Sequence, residues 1–562
     1  MSAHAPEPAR ARSTARPGPE SAPIPDFPAR FNLCDYFLDR NLREGRGEKV
    51  ALFCGDETRT YAQVVERSKL VAAALRRAGV RPEERVLIVL PDGFEFAETW
   101  FGVLRAGAVF AMVNPLLKRE DYEKYLEYTK ARVVVTHQDA IPEIGPALST
   151  ARFCETALVV GDDAHGCTPY EEALAREDAG SELARTEPTG PDDLAGWLFT
   201  SGSTGVPKAC VHAQRDFAYS TETYALRVAG YRESDTCLSV PKLFFGYATG
   251  TNLMFPFRVG ASVALFPGRS TADELFDRIE KHRPTFLTSV PTMINAMLRS
   301  PRIATADLSC LRVCLSAGEA LPPKLYEEWK ERTGVEILDG IGSAEMFHIY
   351  VSNRMGEVRP GSLGRVVPGY EALVVDPEGR PVADGELGRL RIRGGSTALC
   401  YWGNKAESNA TFQGEWCTSA DVFRRDAEGY FWYEGRDDDL LKVSGIFVSP
   451  LEIEDCLLAH SSVREAAVIG QEDAGGLTKP KAIVVLKDGI APSRDAALAL
   501  RTHVKERLSP YKYPRWIAFV DALPRNERGK VMRRSLRDGV RELLMVALSP
   551  ETDAPGAGDA RT

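Results

Sequence analysis

The sequence predicts an α/β protein with a large N-terminal domain of doubly wound sheets, a β-rich subdomain within it, and a small α+β C-terminal domain. Three observations predict this. Short apolar runs ended by chain breakers alternate with helix-period segments from residue 60 to residue 316, and strands alternating with helices pack as a parallel sheet. Beyond about residue 370 the texture shifts to short strands with glycine turns. A charge-dense stretch, residues 434–442 (EGRDDDLLK), then precedes a last segment of about a hundred residues, an ordinary domain size.

Taken in order, residues 1–28 are rich in Ala, Pro and Arg and lack an apolar signal core, so they read as a disordered tail, with a transit peptide as the alternative. Residues 60–78 carry apolar side chains at 61, 64, 65, 71, 72 and 75, a helical period. Thr60 and Gln63 form a capping box there, and Gly79 is the stop. Residues 85–90 (RVLIVL), ended by Pro91, have the signature of a buried strand. Residues 98–106 read as helix, and 131–136 and 156–160 as strands. The pattern resumes with strands at 262–266, 285–289 and 311–316, then 371–375 and 388–393 in the β-rich part. Past the charged joint, 466–470 and 481–485 are strands and 494–508 a helix with Leu500, Val504 and Leu508 on one face. The expected division is a tail over 1–28, domains over 29–436 and 437–545, and a Pro/Gly/Ala/Asp-rich tail over 546–562.

Hydrophobic and charged fractions of 44% and 27% are ordinary for a globular chain of 562 residues. A net charge of −9 gives no reason to expect nucleic acid or an anionic membrane as partner. No apolar run approaches the roughly 20 residues that span a bilayer. Eleven scattered cysteines without a C-x-x-C pair point to reduced thiols in the cytoplasm.

The chemistry centres on residues 198–209, LFTSGSTGVPKA. An apolar strand runs into a loop of Ser, Thr and Gly. Gly202 and Gly205 permit positive φ and let backbone amides converge. The hydroxyls of Thr200, Ser201, Ser203 and Thr204 add donors, and Lys208 adds charge. That is a nest for phosphate oxygens. It is not a Walker loop, because Lys208 follows Val-Pro and no hydroxyl follows it. A flexible Ser/Gly linker would not end in Pro-Lys directly behind an apolar strand. The pattern resembles the phosphate-binding motif of the adenylate-forming enzymes, which include acyl- and aryl-CoA ligases, peptide-synthetase adenylation domains and luciferases.

That resemblance implies roles for further residues. Residues 339–346 (DGIGSAEM) resemble the family's second core motif, in which Glu345 would hold a Mg²⁺ bridging ATP phosphates; such a hard cation needs only one or two carboxylates beside the phosphates. Asp339, Gly340, Ile341 and Ser343 would line the nucleotide, with Ile341 in place of the usual Tyr and Ala344 in place of the usual Thr. Residues 316–320 (SAGEA) resemble the adenine-pocket segment, with Gly318 and Glu319 nearest the base. Asp421, ending WCTSAD, and Arg436 would bind the ribose hydroxyls. Asp438 falls at the family's hinge, and Lys442, Ser444 and Gly445 (KVSG) match the loop that serves the second half-reaction. The C-terminal domain would thus be mobile. Lys530, ending LPRNERGK, resembles the C-terminal catalytic lysine and a site of inactivating acetylation, so a lysine acetyltransferase is an expected partner.

Segments 241–249 (PKLFFGYAT), 342–353, 442–454 and 510–516 resemble the benzoate-CoA ligases. The implied pocket is flat and aromatic: Phe244 and Phe245 at a gate, Tyr224 on the helix after the glycine loop, and His348 against the acid. The expected activity is ATP-dependent ligation of an aromatic carboxylic acid to coenzyme A through an aryl-AMP, with ATP, Mg²⁺ and CoA required and a homodimer left open. A carrier-protein acceptor, a cinnamate-like or aliphatic acid, oxidation of the adenylate, and an inactive nucleotide binder are the alternatives. His212 reads as structural.

Overall fold

The computed structural model describes residues 25–201, 207–436, 441–443, 446–473, 478–509, 512–525 and 531–548. Two large sheets dominate it. The first has eight strands, in the order Cys400–Tyr401, Pro207–Ala213, Leu194–Ser201, Val109–Met112, Arg85–Val89, Val133–His137, Thr156–Val160 and Thr168–Pro169. It is parallel from Leu194–Ser201 to its far edge and antiparallel at the other end. The second has nine strands, parallel through Val50–Cys54, Ser262–Leu265, Thr236–Ser239, Phe286–Ser289, Val313–Ser316 and Ile337–Gly342. Antiparallel strands close both of its edges.

Local chemistry explains the individual elements. The helix Tyr61–Arg77 starts where its capping box demands: Thr60 Oγ1 accepts from Gln63 N at 3.3 Å, and Gln63 Oε1 accepts from Thr60 N at 2.8 Å. The helix expected at 98–106 instead begins at Phe94 and ends at Arg105. All its residues except Glu95 are buried, so it lacks the polar face from which a helical period is read. After the glycine loop the chain returns as the strand Pro207–Ala213, antiparallel to Leu194–Ser201, an element with no counterpart in the expected order. The helix Gln214–Ser220 comes only after it and widens into a π-helical stretch, Thr221–Ala229, that carries Tyr224 and ends at Gly230.

A five-stranded antiparallel sheet follows, built from Glu371–Val375, Gly388–Arg393, Trp416–Arg425, Phe412–Gln413 and Phe431–Arg436. One apolar core runs from Phe31 to Phe431 through this part of the chain. Past the charged joint a four-stranded mixed sheet forms from Val463–Glu472, Thr478–Leu486, Trp516–Phe519 and Leu544–Ala547. It has its own core, which includes Leu441, Val448, Ile453, Leu500 and Phe519. Ser449 Oγ donates to the Glu434 carbonyl at 2.6 Å across the joint. All eleven cysteines are free thiols. Among the described residues no helix is long and apolar enough to cross a membrane.

Candidate active site

The glycine loop closes a β-hairpin. Thr200 stands opposite Lys208 and Ser201 opposite Pro207. Gly202, Ser203, Thr204 and Gly205 lie outside the described residues, as do Asp438, Ser444, Gly445 and Lys530. Ser201, Arg436 and Lys442 are placed by their strand backbones alone. Lys208 is half-buried, its ammonium paired with the Glu407 carboxylate and 5.4 Å from the centre of the Tyr401 ring. Glu407 sits in the first turn of the helix Lys405–Thr411, where the Asn404 side chain accepts from Glu407 N at 3.2 Å.

Tyr401 links this lysine to Glu345. Its hydroxyl donates to Glu345 Oε1 at 2.6 Å. The carboxylate raises the Tyr401 hydroxyl further above its ordinary value, a shift due mainly to burial. Glu345 rides on a single 3₁₀ turn, Ala344–Met346, directly after the strand Ile337–Gly342 and the extended Ser343. Every carbonyl of that turn is taken. Ala344 O meets His212 Nε2 at 2.7 Å, and Glu345 O accepts from Ala398 N at 2.8 Å. Met346 O accepts from His348 N and from Ser396 Oγ, both at 2.8 Å. The residue between, Phe347, has φ 66° and ψ −58°. With the bond spanning it, this is the rare, strained form of the γ-turn. Such strain persists only where the surroundings over-determine it.

The γ-turn turns His348 away from the polar corner and into a ring-lined chamber. The His348 ring lies 5.5 Å from Tyr224, 5.4 Å from Tyr247 and Phe347, and 4.7 Å from Phe255, centre to centre. Its Nε2 meets the Tyr247 carbonyl at 3.1 Å. Burial pushes the imidazole down to about 3, so it is neutral at physiological pH. A Cβ on Gly250 would lie 2.5 Å from His348 Cδ2, so only glycine leaves the ring its place. Phe244 and Phe245 are half-buried with ring centres 4.3 Å apart. Asp339 is buried within electrostatic reach of the Tyr224 and Tyr247 hydroxyls. Burial pushes its carboxyl up to about 8 against the opposing pull of Ser316 and the Gly340 amide.

The other predicted nucleotide residues fall on strands and turns elsewhere in the chain. Gly340 and Ile341 pair with Ser352 and Val351. Gly318 adopts φ 87°, and Glu319 Oε2 accepts from Thr292 N at 3.1 Å and Thr292 Oγ1 at 2.7 Å, capping the helix Pro291–Arg299. Asp421 stands directly opposite Arg436 across an antiparallel pair, with Ser419 Oγ bonded to its backbone N at 2.9 Å. Tyr401, Glu407, Tyr247 and Gly250 escaped the sequence reading. Tyr247 and Gly250 carried a signal, since they lie in or beside the aromatic segment 241–249; Tyr401 and Glu407 carried none.

These features define an adenylate-forming enzyme, and the chain belongs to the AMP-binding enzyme family: the family model matches residues 38–402, and the AMP-binding enzyme C-terminal domain matches residues 452–530. Within that family, the chain is 43% identical over 518 residues to the benzoate–CoA ligase of Thauera aromatica, covering 92% of this chain and 97% of that protein. It is 40% identical over 513 residues to the 4-hydroxybenzoate–CoA/benzoate–CoA ligase of Rhodopseudomonas palustris, covering 90% and 94%. Its fold is similar to that of an anthranilate CoA ligase solved with anthranoyl-AMP (TM-score 0.86, 40% identity, 91% and 98% of the two chains). A benzoate CoA ligase from Burkholderia xenovorans is also similar (TM-score 0.82, 42% identity, 90% and 100%).

Proposed function

We propose that this enzyme activates benzoate or a substituted benzoate with ATP and transfers the aryl group to coenzyme A, releasing pyrophosphate and then AMP. The observation that carries the reading is the turn 344–348, which bonds a carboxylate to the tyrosine whose ring lies 5.4 Å from the Lys208 ammonium and sets a neutral imidazole among aromatic rings. The acid's ring would enter between Phe244, Phe245, Tyr224 and His348, where ring contacts add to the gain from burial. Its carboxylate must then attack an already anionic phosphate, so the barrier falls with each positive charge or donor placed there beforehand. In this reading the hairpin amides, the hydroxyls of Thr200, Ser201, Ser203 and Thr204, and Lys208 supply that field, and Lys530 completes it.

Glu345 fits a Mg²⁺. It offers hard oxygen donors, and Tyr401 fixes one of them. Among the described residues no group of three or more His, Cys, Asp or Glu forms a metal cage, so such an ion would take its remaining ligands from phosphate and water. When bound it would neutralise charge on the phosphates. Asp421 and Arg436 would hold the ribose, and the segment 316–320 and Ile341 the base. We assign the domain boundary to the joint at 437 with Asp438 as hinge, and Lys442, Ser444 and Gly445 to the thioester-forming step. Acetylation of Lys530 would remove its charge and stop adenylation. The thiol of CoA attacks the aryl-AMP carbonyl directly, so no cysteine of the enzyme is required as a nucleophile.

The test is AMP release with ATP and Mg²⁺, with and without CoA, across benzoate, hydroxy- and aminobenzoates, cinnamate and fatty acids. A benzoate should lead by tenfold or more in kcat/KM, about 1.4 kcal/mol of discrimination, and turnover should require CoA. Faster use of a fatty acid overturns the aromatic assignment. Pyrophosphate exchange without CoA-dependent AMP release overturns the thioester step in favour of a carrier protein.

A further inference from the structure

His212 is a buried titratable group that the mechanism above leaves unused. It lies on the strand Pro207–Ala213, four residues after Lys208, and is fully buried; Asp216, one turn on, is 4% exposed. Buried polar groups of this kind are kept only when bonded, and here every contact is specific. His212 Nδ1 meets Asp216 Oδ2 at 2.9 Å, and that oxygen also accepts from Ala213 N at 3.0 Å. On the other side His212 Nε2 meets the Ala344 carbonyl at 2.7 Å. A carbonyl oxygen only accepts, so Nε2 carries a hydrogen. One further proton then lies between Nδ1 and Oδ2, since two lone pairs would otherwise face each other. The Phe217 ring, 5.5 Å away, packs against the imidazole.

The bonded carbonyl belongs to the residue before Glu345. The turn that bears Glu345 has no side-chain cap of its own and runs into the strained Phe347. Its hold on position is external, through His212, Ala398, Ser396 and Tyr401. Of these anchors, only His212 comes from the phosphate hairpin. We propose that the His212–Asp216 pair is a positioning device that ties the Glu345 turn to the glycine hairpin and so fixes the separation between Glu345 and Lys208. A change in that separation would be felt when nucleotide phosphates are bridged, because charge stabilisation depends on groups held in place beforehand. The inference rests on the reading of Glu345 as a group serving the nucleotide phosphates.

The experiment measures the two half-reactions separately in H212F and in the double variant H212F/D216N, which leaves no unpaired buried carboxylate where H212F alone fails to fold. Adenylation is followed by pyrophosphate exchange at varied Mg²⁺ and ATP, and thioester formation by supplying aryl-AMP and CoA. The thermal midpoint is recorded for each protein. The expected result is at least a tenfold fall in exchange rate with a raised Mg²⁺ requirement, while thioester formation changes less than threefold. H212Q, which retains a donor, should recover part of the loss. Equal losses in both half-reactions, or exchange within threefold of the parent, overturn the proposal. An E345Q arm separates the two readings. If E345Q leaves exchange intact, the assignment of Glu345 fails; if E345Q abolishes exchange and the His212 variants do not, the positioning role alone fails.

Discussion

Glu345 and His348 are three residues apart and live in opposite media. Glu345 is half-buried, bonded to a tyrosine whose ring lies near the Lys208 ammonium. His348 is fully enclosed by rings and held neutral by burial. One strained residue, Phe347, makes this division by reversing the chain between them. The lesson is that a short motif can serve two chemistries when a turn sends its side chains into different surroundings. A regular helix would have placed the two on one face, since residues three apart lie one above the other there.

The comparison breaks most sharply at Glu345. The E345Q variant should lose adenylation by on the order of 10²–10³-fold in kcat/KM, the scale of removing a preorganised charge at the reacting phosphate. Binding of the aromatic acid, measured by calorimetry, should hold. On the other side of the turn, G250A would press a methyl into the His348 ring. Overpacking of about 1–3 kcal/mol predicts roughly a 5- to 150-fold rise in KM for the acid, with KM for ATP unchanged. Equal rises in both would show that the two compartments are not separate. Y401F sharpens the polar side. It removes the hydroxyl on Glu345 Oε1 but keeps the ring near Lys208, so adenylation should fall about tenfold, the weight of one charge-assisted hydrogen bond.

The smallest effect is in stability. Folded Asp339 keeps its proton up to about pH 8, whereas an unfolded aspartate loses it near pH 4. Between those values the folded chain binds the extra proton, so this group lowers stability as pH rises. His348 acts in the opposite sense: it is neutral in the fold down to about 3, and an unfolded histidine protonates near 6.5, so its contribution is lost as pH falls below that value. The window from pH 6.5 to 7.5 lies above the His348 transition, and other groups that titrate there, such as Asp455, which burial pushes up to about 7, cancel between the parent and D339N. Denaturant unfolding of the parent and of D339N should show D339N gaining about 1 kcal/mol relative to the parent across that window. Parallel pH profiles would show that Asp339 is ionised in the fold.

Much of the architecture was legible because it depends on neighbours in sequence. Thr60 and Gln63 are three residues apart, and their capping box started the helix where it was expected. Strands such as Thr156–Val160, Glu371–Val375 and Gly388–Arg393 match their expected bounds because apolar runs between breakers leave little choice. The strand Pro207–Ala213 escaped because Lys and His interrupt its apolar pattern, and its pairing with Leu194–Ser201 depends on a loop return. In the site, the glycine loop, Glu345 and His348 could be read from motif spacing. The ion pair of Lys208 with Glu407 and the bond of Glu345 to Tyr401 join residues 199 and 56 positions apart. No local pattern encodes such partners.

The sequence by itself determined the α/β order of elements, the Ser/Thr/Gly loop behind an apolar strand, and the side-chain types on the turn 344–348, because each depends on residues within a few positions of one another. Only the tertiary structure decided which strand the glycine loop returns to and which carboxylate meets Lys208. It also decided that His212 grips the Glu345 turn, that His348 is neutral and that Asp339 holds a proton. Those outcomes follow from burial and from contacts between distant segments, since the charge a side chain carries is set by the medium the fold builds around it.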